Sequence, residues 1–174
     1  MKLIKGFSLI EMVVTLSIAA TLVSYALPSI FEIKSNKILQ NDRDRLMVSF
    51  AYARTYAINQ QKQVIVCPSL SGTDCDNQSN WHQGWIIFDD TNRNRHLDNN
   101  EKLLQFENPM DITIIATSSL NRSKIRFNNI GFAPGTNVSI NFCDQRGYEH
   151  AQAIIINNAG RIKQSKPISS NICT

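Results

Sequence analysis

The sequence predicts an α+β fold, in which one long N-terminal helix packs on a head of antiparallel β-sheet. The chain begins with a long apolar segment, and an amphipathic helical pattern follows it. Short β-branched and aromatic runs, separated by Gly, Pro, Asn and Ser clusters, occupy the remainder. With 174 residues, of which 43% are hydrophobic, the chain fits one globular domain and an appendage.

The apolar segment runs from residue 7 to residue 27 and carries one charged side chain, Glu11. As a helix it would be about 32 Å long, which is enough to cross the core of a bilayer. The alternative is an ordinary secretory signal. The basic residues and Gly6 precede the apolar run, however, and no clear small-residue cleavage site follows it. We therefore predict a membrane helix.

Glu11 is costly in lipid unless it is paired, and charged residues in such segments are usually functional. Cleavage after Gly6 would create the α-amino group of Phe7, which could neutralise Glu11 on the same or a neighbouring subunit. The alternative is a tolerated Glu that faces the positive end of the helix dipole.

A second helical segment follows, from residue 29 to about residue 62. Apolar residues recur at helical spacing with charged residues between them, so one face should lie on a sheet. That face consists of Ile38, Leu39, Leu46, Phe50, Ala53 and Ala57. We predict one continuous helix of about 50 residues; the alternative is two helices separated at Pro28, which lacks an N–H and clashes with the preceding turn.

The head should contain six or seven antiparallel strands, because short β-branched and aromatic runs alternate with turn residues. The predicted strands are residues 64–67, 84–88, 111–116, 124–127, 138–143 and 153–157.

Four cysteines lie in the head and include no C-x-x-C pair, which disfavours a zinc ribbon or a thioredoxin-like site. An exported head would reach an oxidising compartment, where disulfides persist. Three pairings exist, and we favour Cys67 with Cys75 and Cys143 with Cys173. Buried free thiols are the alternative.

Residues 90–101 place oxygen-bearing side chains at positions 1, 3, 5, 9 and 12 of an EF-hand-like loop. These side chains are Asp90, Asn92, Asn94, Asp98 and Glu101. Arg95 stands where such a loop needs Gly, and no helical pattern flanks the loop on both sides. We favour an Asn-rich hairpin loop and no cofactor, with a calcium site as the alternative.

The C-terminal third is basic: residues 120–174 hold seven Lys or Arg against two Asp or Glu, in a chain whose net charge is +4. Arg161, Lys163 and Lys166 follow a predicted strand, and the first two would point the same way if the stretch is extended. Cations on a loop neutralise phosphates without reading base sequence. We expect these three to contact DNA with Arg146 as support; a solvated turn with solubilising charges is the alternative.

Enzyme chemistry finds no support in the sequence. His82, His96 and His150 are scattered, with no recognisable nucleophile, metal-ligand spacing or Gly-rich phosphate loop. We expect that the protein is not an enzyme.

The stretch KGFSLIEM, residues 5–12, resembles the type III signal of type IV pilins and type II secretion pseudopilins. The resemblance implies that the prepilin peptidase cuts after Gly6, that Phe7 becomes a methylated first residue and that Glu11 guides assembly. It also implies the type IV pilin fold. The expected parts are a leader at 1–6, a membrane and filament-core helix at 7–28, an amphipathic helix at 29–62 and a periplasmic head at 63–174.

The stretch WHQGWIIFDDTNRN, residues 81–94, followed by Asp98, Glu101 and Leu103, resembles the signature of GspH/FimT-type minor pilins. Arg95 departs from the Gly usual in that family. Gly160-Arg161-Ile162-Lys163 is similar to the Gly-Arg-x-Arg motif of FimT-type pilins that bind DNA in natural transformation. Lys163 keeps the charge of the fourth position but not the bidentate geometry of Arg.

The resemblance implies a minor pilin of a type IV pilus that binds extracellular double-stranded DNA and assists its uptake. Its partners would be other major and minor pilins, the prepilin peptidase and the inner-membrane assembly machinery. It would span the inner membrane once, with a periplasmic head, before joining the extracellular filament of a Gram-negative bacterium. The alternatives are a GspH-like minor pseudopilin of a type II secretion system, or a priming subunit that binds no DNA, which exposed apolar surface on the head would favour.

Overall fold

The computed structural model describes residues 6, 8–119, 122–167 and 173. Phe7, the expected first residue after cleavage, lies outside them. The chain divides into two units, Met1–Lys37 and Ile38–Thr174. One helix, α1, covers Leu9–Gln60 and contains Pro28, so the prediction of a single helix is confirmed.

The first part of α1 exposes apolar side chains; by length and composition the helix includes a stretch able to cross a membrane, none of which is buried. The hydroxyls of Thr15, Ser17, Thr21 and Ser24 each donate to a backbone carbonyl three or four residues earlier, at 2.6 to 3.0 Å. A hydroxyl without a partner is costly in an apolar environment. These bonds therefore suit the segment to lipid or to a helix-packed core.

The second part of α1 buries the face that the sequence predicts. Leu39, Leu46, Phe50, Ala53 and Ala57 are inaccessible to solvent, and Ile38 packs against the same core. Their spacing of three, four or seven residues keeps them on one side of the helix.

Asp42 also lies on the buried face, which the pattern did not predict. Its Oδ2 accepts a hydrogen bond of 2.8 Å from the backbone N–H of Asp111, and Arg45 lies 3.6 Å from its Oδ1. The carboxylate is tolerated because it has these partners.

Eight strands follow in the described residues, and they form two antiparallel sheets. They are β1 Val64–Pro68, β2 Trp85–Asp89, β3 Leu103–Glu107, β4 Ile115–Thr117, β5 Ile125–Phe127, β6 Val138–Cys143, β7 Gln152–Ile156 and β8 Ile162–Ser165. Sheet A has the order β3-β2-β1-β5, and sheet B has the order β4-β6-β7-β8. Short 3₁₀ turns occupy Trp81–Gln83 and Tyr148–His150.

The strand prediction was wrong in three places. Strands β3 and β8 were not predicted, because each mixes polar and apolar residues at a sheet edge and neither reads as an apolar run. The strand expected at 111–116 is reduced to β4, since the side chain of Asp111 accepts hydrogen bonds from the N–H and hydroxyl of Thr113 and holds a turn there.

The head has a main core and a smaller outer one. The main core joins the buried face of α1 to alternate residues of both sheets, among them Val64, Trp85, Phe127 and Ile154. The outer core lies on the opposite face of sheet A, where Ile65, Cys67, Ile86 and Phe88 pack with Cys75 and Leu97. Sheet A is therefore covered on both faces.

Candidate functional site

The basic turn, residues 157–166, begins as the β7–β8 hairpin connection. The N–H of Gly160 donates to the Asn157 carbonyl at 2.9 Å, and the N–H of Arg161 donates to Asn157 Oδ1 at 3.0 Å. Gly160 has φ of 70°, and a Cβ there would lie 2.0 Å from the carbonyl oxygen of Gly131. Only Gly permits this conformation and this close contact without rearrangement.

The side chains of Arg161, Lys163 and Lys166 are all exposed. Ile162, between the first two, is partly buried against the main core, and Lys163 pairs with Ile155 across the sheet. Alternation therefore places Arg161 and Lys163 on the face of sheet B that points away from α1. No carboxylate in the described residues forms an ion pair with any of the three.

Arg146 differs from these three cations. Its Nη2 lies 2.6 Å from Asp144 Oδ2, its Nε donates to the same carboxylate, and only 19% of its side chain is exposed. The pairing compensates its charge locally, so it can add less to an anion site than the sequence suggested.

Tyr148, the aromatic residue nearest the basic turn in sequence, donates its hydroxyl to the carbonyl of Pro167 at 3.1 Å. The ring thus ties the segment after β8 to the 3₁₀ turn. This contact positions the end of the basic turn beside β7.

Both disulfides form in the pairing favoured from sequence, Cys67 with Cys75 and Cys143 with Cys173. The first closes a separation of 8 residues, and we call its residues 67–75 the disulfide loop. The second closes a separation of 30 residues and holds the chain beyond β8 to the end of β6.

The Asn-rich loop, residues 90–101, uses its side-chain oxygens on its own backbone and amides. Glu101 Oε1 accepts from the N–H groups of Thr91 at 2.7 Å and Asn92 at 3.3 Å. Asp98 Oδ2 accepts from the amides of Asn92 and Asn94 at 2.7 and 2.6 Å. In the described residues no group of three or more His, Cys, Asp or Glu side chains is arranged to hold a metal ion.

Arg93 and Arg95 have φ of 64° and 63°, so Arg95 takes the left-handed conformation at the position where Gly was expected. Asp90 is fully buried, and its Oδ2 accepts from the Gln63 amide at 2.6 Å and the Arg95 N–H at 3.3 Å. The bond to Asp90 stabilises the left-handed conformation of Arg95, which is otherwise strained.

The Asn-rich loop also contacts the disulfide loop. His96 Nδ1 lies 3.1 Å from Asp74 Oδ2, and the N–H of Leu97 donates to Asp74 Oδ1. Burial opposes ionisation of Asp74, but the bonds from His96 and from the N–H groups of Cys75 and Leu97 together lower its pKa. The two loops form one covering over the outer core.

Near the N-terminus, Glu11 is exposed in the first turn of α1, and its N–H donates to the Ser8 carbonyl at 3.1 Å. The amine expected to neutralise it belongs to Phe7, outside the described residues. Gly6, the expected cleavage site, is exposed.

Two surfaces were missed by the sequence reasoning, because each joins a short stretch of the chain to a residue that is distant in sequence. One is the apolar patch, formed by Leu70, Pro109, Met110, Ile112 and Ile114 around a cavity of about 330 Å³; the Ile112 side chain is 98% exposed. The other is a basic groove beside β5, lined by Arg95, Arg122, Lys124 and Arg126.

Comparison with known proteins places the chain among pilin-like proteins. The family described as type II transport protein GspH matches residues 42–160, and the prokaryotic N-terminal methylation motif matches residues 1–27. None of the curated proteins matches the chain.

Two crystal structures of the type IV minor pilin FimU from Pseudomonas aeruginosa strain PAO1 share the fold. Their TM-scores are 0.58 and 0.56, at 21% and 20% sequence identity. The matches cover 76% and 75% of this chain and 94% and 98% of the FimU chains. The likeness confirms the long helix packed on antiparallel sheets.

Proposed function

The chain belongs to the GspH family, and from that premise we propose that it is a type IV minor pilin whose head binds double-stranded DNA through the basic turn and assists DNA uptake. The observation that carries the proposal is the pair Arg161 and Lys163, exposed on the same face of sheet B with no carboxylate partner in the described residues. Lys166 adds a third charge, and Arg146 a weaker one.

The backbone of the basic turn is held by hydrogen bonds, while the charged ends of Arg161, Lys163 and Lys166 are exposed and form no ion pair with any described residue. Such cations neutralise phosphates and release counterions, which gives binding that weakens with salt and has little sequence preference. Because few charges are involved, affinity for one head is low, and several pilin copies would supply retention.

The test is a titration of the full-length chain in detergent micelles with labelled duplex DNA, at about 50 and about 200 mM salt. The variant Arg161→Ala/Lys163→Ala is compared with Lys37→Ala/Lys102→Ala, which removes the same two charges at exposed sites elsewhere. We expect the first variant to bind DNA more weakly. Its slope of log K against log salt concentration should be smaller by about 0.9 for each phosphate contact removed. Equal binding by both variants would reject the basic turn, and no binding by the wild type would reject the DNA function.

The apolar patch supports a second candidate, a subunit whose head contacts other pilins and binds no DNA. Ile112 is 98% exposed and Leu70 is 62% exposed, while Met110 and Ile114 are buried beneath them. Exposed apolar side chains that lie together in this way can mark a protein interface. Ile112→Asp should then reduce incorporation into filaments, whereas Ile130→Asp, at an exposed site outside the patch, should not. A GspH-like role in type II secretion predicts that the cations of the basic turn are dispensable.

Assembly would depend on Glu11 after the prepilin peptidase cuts at Gly6 in the inner membrane. We expect Glu11→Gln to leave the head folded but to impair entry into filaments, because it removes the charge that pairs with the new amine. Immunoblotting of sheared filaments measures incorporation, with Glu32→Gln as the matched control in the same helix. Normal incorporation of Glu11→Gln would contradict this role.

A further inference from the structure

Four cations meet at the edge of sheet A: three alternate residues in and before β5, and Arg95 from the Asn-rich loop. Arg95, Arg122, Lys124 and Arg126 line a cavity of about 90 Å³, which we call the β5 groove. Ile125 and Phe127 point into the main core, so Lys124 and Arg126 lie on the outer face of the strand. Lys124 Nζ donates to the carbonyl of Arg95 at 3.0 Å, which holds the Asn-rich loop beside them.

The charges of the β5 groove are not compensated by direct ion pairs in the described residues. Arg122 donates to the carbonyl of Asn137 at 2.6 Å and Arg126 to that of Pro134 at 3.5 Å. Neutral carbonyls orient the guanidinium groups but leave their charge.

Two carboxylates, Asp74 and Asp90, act on Lys124 from nearby, and both already accept hydrogen bonds from other groups. Burial, together with the charge of Arg95, lowers the pKa of Lys124. A partly desolvated ammonium among like charges would be stabilised by an anion. The four cations outnumber the two carboxylates, so the groove is positive.

The β5 groove continues into a second cavity of about 350 Å³ that shares Arg126 and Pro134 with it and adds Arg93. Amide side chains, among them Gln63 and Asn128, complete its lining. A row of Arg and amide groups without an aromatic ring fits the backbone of a polyanion.

The β5 groove is also joined to the basic turn. Asn137, whose carbonyl binds Arg122, accepts through its side chain a hydrogen bond of 3.3 Å from the N–H of Asn158. Asn158 stands in the basic turn, three residues before Arg161, and its carbonyl accepts from the N–H of Ala133 at 2.9 Å. One residue therefore links the two cation clusters.

We propose that the β5 groove binds phosphate groups of the DNA backbone, and that it and the basic turn are two parts of one contact surface. The inference rests on the proposed function, since the ligand is the same. It predicts that a DNA strand bound at Arg161 continues toward Arg122 and Arg126.

The test adds three variants to the DNA titration of the full-length chain. Arg122→Gln/Arg126→Gln removes two groove charges and keeps hydrogen-bond donors, and Arg122→Lys/Arg126→Lys keeps the charge but not the planar fork. Lys37→Gln/Lys102→Gln removes two charges elsewhere. Thermal melting of each variant checks that the fold is intact.

We expect the Gln variant to lower the slope of log K against log salt concentration by about 0.9 for each lost phosphate contact. The Lys variant should keep that slope but bind DNA more weakly. The control should match the wild type. Unchanged DNA binding by the Gln variant, with loss in Arg161→Ala/Lys163→Ala, would overturn the inference alone. If the wild type binds no DNA, the proposed function fails together with it.

Discussion

The two outer faces of the head hold their polar loops in different ways. Over sheet A, the Asn-rich loop is fixed by its own side chains and by the disulfide loop, whose bridge spans 8 residues. On sheet B, the basic turn is fixed by contacts with residues distant in sequence: Gly160 lies against Gly131, and a bridge spanning 30 residues follows β8. Most hydrogen bonds of the first loop run within the loop, whereas the second adds long-range links to its local bonds with Asn157.

The difference shows why loop composition is a poor guide to function. Both segments contain Asn and two or more cations, and the Asn-rich loop resembles a metal site. Its oxygens, however, accept hydrogen bonds from its own N–H groups, whereas the side chains of Arg161 and Lys163 form no ion pair with any residue that the structure describes. The hydrogen bonds, rather than the residue types, show which groups remain for a ligand.

Removing the disulfides tests local against long-range anchoring and has the largest expected effect. In the chain-entropy model, Cys143→Ala/Cys173→Ala should lower the free energy of unfolding by about 4 kcal/mol and Cys67→Ala/Cys75→Ala by about 2.5 kcal/mol, since the longer loop gains more unfolded-state entropy. Urea denaturation of oxidised protein measures both. The reverse order would contradict the expectation that the longer bridge contributes more to stability.

The next effect concerns the local anchor of the Asn-rich loop. Glu101→Gln replaces a carboxylate that accepts from three backbone N–H groups, so we expect a loss of about 1 to 3 kcal/mol and faster amide exchange at Thr91 and Asn92. Glu149→Gln makes the same chemical change at an exposed site and should cost less than about 0.5 kcal/mol. Similar values for both would mean that the loop is not held by its own side chains.

A smaller effect is expected from the contact between the two loops. Because the pKa of Asp74 is lower in the folded state, its stabilisation is present above its unfolded value of about 3.9 and is lost as the pH falls through the folded value. The side chain is 44% exposed, so the contribution stays below about 1 kcal/mol. The stability difference between wild type and Asp74→Asn should therefore shrink from pH 5 to pH 3 in acid titrations of the melting temperature. A constant difference would contradict this contact.

Calcium should have the smallest effect. An extracellular calcium site with a Kd of about 0.1 to 1 mM would stabilise the protein by about 1.4 to 2.7 kcal/mol at about 10 mM calcium. We expect no such rise in the melting temperature, because the loop oxygens already accept hydrogen bonds. Magnesium is the control, and a rise that chelator reverses would identify a calcium loop.

Much of the fold could be predicted from the sequence, because the determining signals are local. The helix follows from its apolar run and its spacing, and β1, β2, β5, β6 and β7 follow from β-branched runs. β3 and β8 lack that signal, since residues such as Gln105 and Lys163 are stabilised there by pairing with a neighbouring strand.

The candidate sites divide in the same way. Arg161 and Lys163 are close in sequence and could be named from it, whereas the β5 groove needs Arg95 to meet Arg126 across 31 positions of the chain. The pairing of β5 with β1 and the fold of the Asn-rich loop bring them together. The alternation of Arg122, Lys124 and Arg126 is visible in the sequence, but the approach of Arg95 to them leaves no pattern at a fixed spacing.

The contact between Gly160 and Gly131 has a consequence for how this surface can change under selection. The backbone of the basic turn admits no larger residue at position 160, but the side chains at 161, 163 and 166 are exposed and form no ion pair within the described residues. Substitutions at 161, 163 and 166 can therefore raise, lower or remove the charge while the head stays the same. Related subunits could thus gain or lose an anionic ligand by exchanging three side chains, while the contact between Gly160 and Gly131 stays unchanged.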